Sequence, residues 1–276
     1  MKKIFLIPLL FIVVFSTSSW ADLDLDKEVL IIPDTHNVKP YIWNVQRNPR
    51  DYELVMDNSH EGLKGRFSFK IKRENAAQIE DLHVFITDED LHTFVHFQPV
   101  KNEDGSYVFH FDAPKTGVYR FEIVFKTKAG WVDLFRDVKL KASVGKKEPV
   151  TKPGDEDYSV RIKLYPKKLC AEHVSTFLYE ISYKGKPLKD LEKMNGFDMI
   201  VAAWDEKLKE FVYMTPRQNL GGPEAAVSVV FMRPGKHAVF AEFKHNGVVR
   251  TVDSVVNLHA EPRQDISPIP DLKPSD

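Results

Sequence analysis

The sequence lacks most of the features from which a fold or a function is usually recognised. Its 276 residues include one cysteine, Cys170, so no intramolecular disulfide can form and stability must come from packed cores. The 39 Lys and Arg residues nearly balance the 40 Asp and Glu residues, which gives no electrostatic case for binding nucleic acid. Helical periodicity and the common catalytic and phosphate-binding motifs are also missing. These absences point away from an enzyme and toward an all-β protein.

Long apolar runs are missing after the first 21 residues. Those residues begin with Lys2 and Lys3, continue with an apolar run over residues 4–15 and end in Ser-Trp-Ala, which is the layout of a secretory signal peptide. The apolar run is shorter than the about 20 residues that cross a bilayer. We therefore expect residues 1–21 to be removed and the mature chain, which has no transmembrane segment, to be periplasmic or secreted.

One module is present twice. Residues 88–99 read DEDLHTFVHFQP and residues 205–216 read DEKLKEFVYMTP, with the acidic turn, the Leu-x-x-Phe-Val core and the closing proline in register. Further along, PKTGVYRFEIVFK (residues 114–126) is matched by PGKHAVFAEFK (residues 234–244). Repetition over this length indicates tandem domains.

Each copy consists of short segments rich in β-branched and aromatic residues, separated by turn residues. About seven such strands with turns every 8 to 12 residues are typical of an immunoglobulin-like sandwich, and a small barrel is the main alternative. We predict an all-β fold with two tandem immunoglobulin-like β-sandwich domains. The predicted order is a signal peptide (1–21), an N-terminal arm packing on domain 1 (22–50), domain 1 (51–142), a linker (143–156), domain 2 (157–260) and a proline-rich disordered tail (261–276).

Histidines in domain 1 suit a metal site. If residues 88–91 close a hairpin, His83 faces His96 directly on the next strand. Opposed side chains in an antiparallel pair have Cβ atoms about 5 Å apart, close enough for two imidazoles to share a copper or zinc ion. His110, on another strand, is the third candidate ligand. The alternative interpretation is that His83 and His96 form a cross-strand polar pair on a partly exposed face.

The stretch DLHVFITDEDLHTFVHFQP (residues 81–99), followed by DGSYVFHFDAPKTGVYRFEIVF (residues 104–125), resembles bacterial extracytoplasmic sandwich modules related to the YtkA-like domains. Their pattern is a Leu-His strand, an acidic turn, Phe-x-His-x-His-Pro, then Asp-Gly and Pro-x-x-Gly-x-Tyr. The resemblance implies a sandwich fold and metal handling by the histidines. His83 and His96 match the first two histidine positions, and Gln98 stands at the third. The corresponding residues of domain 2 are Ile200, Tyr213 and Thr215.

Aromatic residues provide candidate contacts for a partner. Tyr41, Trp43 and Trp131 are expected in the arm or at a sheet edge, where aromatic side chains suit a peptide or a sugar. We predict a secreted or periplasmic, non-enzymatic binding protein whose partner is another envelope protein or a surface polymer. The alternative is a periplasmic protein that handles copper or zinc through the histidines of domain 1. No catalytic residue is predicted.

Overall fold

The described part of the chain consists of strands and their connections. The computed structural model describes residues 45–57, 65–73, 79–141 and 156–260, all of which belong to the second of two compact units, Lys39–Asp276. The predicted signal peptide and tail, most of the arm and nearly all of the linker lie outside the described residues. The described part of the chain contains no helix that could span a membrane.

Domain 1 is a sandwich of two sheets. One sheet has the order β1-β9-β8-β4-β5 and the other β2-β3-β7-β6, and β1 with β9 is the parallel pair. The strands are β1 (Val45–Arg47), β2 (Tyr52–Met56), β3 (Arg66–Arg73), β4 (Glu80–Asp88), β5 (Phe94–Phe97), β6 (Val100–Lys101), β7 (Tyr107–His110), β8 (Gly117–Thr127) and β9 (Gly130–Leu140).

Domain 2 repeats this arrangement. One sheet has the order β14-β13-β16-β17, and in the other β11 lies between β10 on one side and β12 and β15 on the other. The strands are β10 (Tyr158–Tyr165), β11 (Val174–Tyr183), β12 (Lys186–Pro187), β13 (Met199–Asp205), β14 (Phe211–Met214), β15 (Glu224–Val230), β16 (Gly235–His245) and β17 (Val248–Leu258). The all-β fold of two immunoglobulin-like sandwiches is confirmed.

The last hairpins of the two domains have the same length and the same strand register. β8 pairs with β9 over eleven residues, from Gly117 opposite Leu140, and β16 pairs with β17 over eleven residues, from Gly235 opposite Leu258. In both hairpins two residues form the turn. In domain 2 these are Asn246-Gly247, both with positive φ, which is the type I′ turn that suits the twist of paired strands.

The two domains pack together through one sheet of each. On β4, Val84 and Ile86 face the core of domain 1, whereas Phe85 faces domain 2. On β13, Ile200 and Trp204 face domain 1 in the same way. The result is a third apolar cluster between the β1-β9-β8-β4-β5 sheet and the β14-β13-β16-β17 sheet. Strands β4 and β13 are therefore buried on both faces.

Candidate functional site

The acidic turn that marks each repeat is a structural element. Oδ1 of Asp88 accepts the backbone N–H groups of the residues four and five positions later, at 2.7 and 2.9 Å. Oδ1 of Asp205 makes the same two bonds at 2.5 and 2.8 Å. Leu91 and Leu208 take the left-handed conformation within these turns, with φ of 58° and 54°. The repeated Asp-x-x-Leu pattern thus holds the chain before β5 and β14.

The first turn is two residues longer than predicted. Thr87 pairs with Phe94, so six residues lie between the last paired positions of the hairpin, and His96 lies opposite Phe85. The predicted direct pairing of His83 with His96 is therefore wrong. Because side chains alternate from one face of a strand to the other, a shift of two residues keeps both imidazoles on the same face. They meet as diagonal neighbours on the face that packs against domain 2.

A hydrogen-bonded chain of side chains, which we call the histidine relay, crosses the domain interface. His83 Nδ1 lies 2.8 Å from His96 Nε2. His96 Nδ1 lies 2.6 Å from Oε2 of Glu242 on β16 of domain 2. At the other end, Nδ2 of Asn195, also from domain 2, lies 3.3 Å from His83 Nε2. Both ends of the relay thus belong to domain 2, and its centre belongs to domain 1.

The chemistry of the end groups sets the direction of these bonds. An amide nitrogen only donates, so Asn195 donates to His83 Nε2, and an ionised Glu242 only accepts. His83 Nδ1–H then donates to His96 Nε2, and His96 Nδ1–H donates to Glu242. Each imidazole carries one proton in this arrangement. Every bond of the relay is therefore satisfied with both rings neutral.

The surroundings of His83 favour its neutral form. The side chain is fully buried, and the rings of Phe85, Tyr213 and Trp131 lie 5.9, 5.5 and 6.2 Å away, centroid to centroid. Burial, and then the repulsion that a protonated His96 would exert, lower the pKa of His83 from 6.5 to about 3. His83 thus stays neutral across the physiological range.

The predicted third ligand lies elsewhere. His110 is on β7, in the other sheet of domain 1, where its side chain is 63% exposed and its Nε2 lies 3.3 Å from Asp112. At the relay, His96 directs its two ring nitrogens to different partners, His83 and Glu242, so the groups form a line and do not surround one point. Among the described residues, no three His, Cys, Asp or Glu side chains are placed to hold a metal ion.

A second polar cluster lies on the same face of domain 1. Glu122 on β8 and Asp133 on β9 are both fully buried. Arg47 Nη1 lies 2.6 Å from Asp133, and its Nη2 lies 3.1 Å from Glu122. Trp204 of domain 2 donates its indole N–H to Glu122 at 3.1 Å. Burial and the nearby charge of Glu122 raise the pKa of Asp133 well above its ordinary value. Burial thus disfavours the charged form of Asp133.

The aromatic candidates are placed differently. Trp131 is half-buried at the domain interface, with its ring centroid 4.8 Å from that of Tyr213. The structure thus gives Trp131 a contact within the chain, and its role in binding a partner stays a prediction. Tyr41 and Trp43 lie outside the described residues.

The outer sheet of domain 2 contains a groove where β11 changes its neighbour. β11 pairs with β15 as far as Glu180 and with β12 from Ser182. The groove has a volume of about 530 Å³ and includes Arg161 on β10 and both Pro187 and Pro223 at the change of strand. Because this sheet faces away from domain 1, the groove lies on the outside of the pair of sandwiches.

The domain 2 partners of the two polar clusters were not predicted from the sequence. Glu242 and Trp204 lie far along the chain from the groups that they contact. One signal was available, because Glu122 and Glu242 each interrupt an otherwise apolar strand, in FEIVF and FAEF. A charged residue at such a position must find a partner when the strand is buried.

The fold defines the class as a tandem immunoglobulin-like β-sandwich protein. A family model described as "Domain of unknown function (DUF8832)" matches residues 151–260, the region of domain 2. No curated protein sequence matches the chain. The relation to YtkA-like domains stays a prediction.

Several solved structures are similar to the chain at low identity. Salmonella alpha-2-macroglobulin reacted with methylamine is 13% identical, with a TM-score of 0.27, over 75% of this chain and 15% of that chain. The chicken CNTN1 FN1–FN3 domains are 12% identical, with a TM-score of 0.23, over 76% and 66%. The BSP domain of a biofilm associated protein is 11% identical, with a TM-score of 0.23, over 73% and 29%. These TM-scores are low, so the fold assignment rests on the sheets described above.

Proposed function

We propose that this chain is a secreted or periplasmic, non-enzymatic binding protein that recognises another envelope protein or a surface polymer. The observation that carries the proposal is the burial of one sheet of each sandwich against the other domain. Two sandwiches joined in this way present a fixed arrangement of outer sheets and edges. The histidine relay and the acid pair are both engaged inside the interface, which supports a structural role for them.

We place the binding face on the outer sheet of domain 2. Its groove combines apolar walls, Pro187 and Pro223, with the polar side chains of Arg161 and Glu180. Lys163 Nζ lies 2.7 Å from Glu180 Oε1, so this carboxylate is already neutralised. A mixed surface of this kind suits an extended segment of a protein or a polar polymer.

One group of side chains in domain 2 resembles a catalytic set. His245 lies between Tyr158, at 2.5 Å from its Nδ1, and Asp190, at 3.3 Å from its Nε2. The guanidinium of Arg250 covers the ring of Tyr158 at 3.8 Å. The groove includes neither Tyr158 nor His245. This set therefore connects the start of β10 to the end of β16, outside the groove.

Site-specific photo-crosslinking in the producing cells tests the proposal. A photoreactive residue at Ser182, inside the groove, is expected to give a discrete adduct with an envelope protein or polymer. The same residue at Lys70, on the outer sheet of domain 1, is the control and is expected to give none. Arg161→Glu should reduce the Ser182 adduct. Equal labelling from both positions, or no adduct from Ser182, would contradict this binding face.

Metal handling is the second candidate function. The observation that favours it is the meeting of the His83 and His96 imidazoles within 2.8 Å. A zinc or copper ion between them would have to replace their hydrogen bond. Two imidazoles fill half of a tetrahedral site, so Glu242 would have to reorient to contribute. Metal titration separates the two functions.

A further inference from the structure

Strand β1 is attached to domain 1 by few contacts. It pairs in parallel with β9 through three residue pairs, whereas every other pairing between the named strands of the described residues is antiparallel. Neither Gln46 nor Arg47 belongs to a hydrophobic cluster. The described attachments of this segment are the edge of β9, the side chain of Arg47 and two hydrogen bonds of Asn48, whose N–H donates to Asp133 O at 2.7 Å and whose Oδ1 accepts from Phe135 N–H at 3.3 Å.

The site behind β1 is built to receive an arginine. The Arg47 guanidinium bridges two fully buried carboxyl groups, those of Glu122 and Asp133, and lies 4.2 Å from the ring centroid of Phe135. Arg47 bonds the other oxygen of each carboxyl group, and among the described residues Oε2 of Glu122 and Oδ1 of Asp133 have no hydrogen-bond partner. A buried acid pair is strongly destabilising without a compensating cation. Arg47 is the cation that β1 contributes to this acid pair, and Arg120 on β8 lies 3.8 Å from the same Glu122 oxygen.

The connection from β1 to β2 is short and strained. Four residues, 48–51, carry the chain from one sheet to the other. Asn48 has a φ of 45° and directly precedes Pro49. A proline confines the residue before it to extended conformations with negative φ, so this backbone conformation is unfavourable on two counts. Strained, short hinge loops favour the exchange of an element between molecules.

We propose that β1 is exchangeable and that two copies of this chain form a dimer by docking β1 of each copy on β9 of the other. The strand that fits the acceptor, with Arg47 in the required register, is already present in a second copy. Strand exchange re-forms the same contacts between molecules. The Arg47 interactions then cancel between monomer and dimer, and release of strain at Asn48 decides the equilibrium.

Light scattering coupled to gel filtration, on the full mature chain incubated warm at high concentration, tests the exchange. A dimer that dissociates slowly on dilution is expected. Asn48→Gly removes the strain and should weaken the dimerisation constant by roughly 30-fold, the factor for about 1 kcal/mol at each of two hinges. Asn246→Gly is the matched control, because Asn246 has a φ of 52° in the β16–β17 turn. It should leave the dimer unchanged.

Arg47 provides a second, kinetic test. Arg47→Ala should speed the mixing of isotope-labelled and unlabelled dimers while leaving the dimer fraction nearly unchanged, and Arg47→Lys, which keeps the cation, should fall between the two. A chain that stays monomeric at every concentration would overturn the proposal. So would a dimer that is insensitive to Asn48→Gly, since it would use another surface. Capture of an arginine-bearing strand from a different protein, without a dimer, would equally contradict exchange between copies.

Discussion

Replacing His83 with glutamine should make the protein less sensitive to mild acid. In the folded chain the pKa of His83 is lowered to about 3, so the folded state binds its proton less readily than the unfolded state. Between pH 6.5 and pH 3 the unfolded chain holds about one more proton at this position, and the free energy of unfolding therefore rises with pH. The stabilisation is fully present above the unfolded pKa of 6.5 and is lost as the pH falls toward 3.

The size of the effect follows from the two pKa values. With 6.5 in the unfolded chain and about 3 in the folded chain, His83 removes about 2 kcal/mol of unfolding free energy between pH 7.5 and pH 5. That amount is a large part of the stability of a typical domain. Glutamine does not titrate in this range, so His83→Gln should lose this pH dependence whatever its stability at neutral pH.

Urea denaturation at the two pH values, followed by tryptophan fluorescence, measures the difference. Trp131 and Trp204 lie at the domain interface and report on it directly. The control is His110→Gln, because His110 is exposed on the outer sheet of domain 1. The unmodified protein and His110→Gln should lose the same amount of stability in acid, and His83→Gln should lose less. An equal loss in all three proteins would contradict a buried, neutral His83.

Three further changes test other parts of the structure. Asp133 has a raised pKa, so its contribution to stability falls as the pH rises above the ordinary aspartate range. Asp133→Asn should flatten that decline in thermal melts, and an unchanged slope would contradict the raised pKa of Asp133. Phe85→Ala, at a fully buried interface position, should cost about 3–5 kcal/mol in denaturant unfolding, whereas a loss no larger than that of the exposed Val100→Ala would refute tight domain packing. Asp205→Ala removes two bonds to backbone N–H groups and should cost about 1–2 kcal/mol, with the neighbouring Glu206→Ala as a near-neutral control.

The local part of the fold could be predicted because it depends on residues close in sequence. Alternation on β4 separates Val84 and Ile86 from His83 and Phe85, and the acidic turn marks where the strand ends. The length of that turn could not be read from the sequence, because Asp88 organises the backbone four and five residues later. His83 and His96 nevertheless lie on the same face of the sheet, because the register moved by an even number of residues.

The candidate site was harder to predict because its groups come from distant parts of the chain. Glu242 lies 146 positions after His96, and sequence spacing carries no information on such a contact. His110 was misassigned for the opposite reason. It is close to His96 in sequence, but β7 belongs to the other sheet of domain 1. The continuous burial of β13, MIVAAWD, is the pattern of a strand covered on both faces, although it does not identify the covering surface.

The central claim is that the buried histidines join the two domains and do not bind a metal ion. A competition titration with Zn(II), Cu(II) and Cu(I) tests it. It compares the mature, tag-free protein with a His83→Gln/His96→Gln variant. We predict equal, weak binding by both proteins, because His96 directs its two ring nitrogens to His83 and Glu242. Tight, stoichiometric binding that the variant loses would contradict this account and establish metal handling as the function.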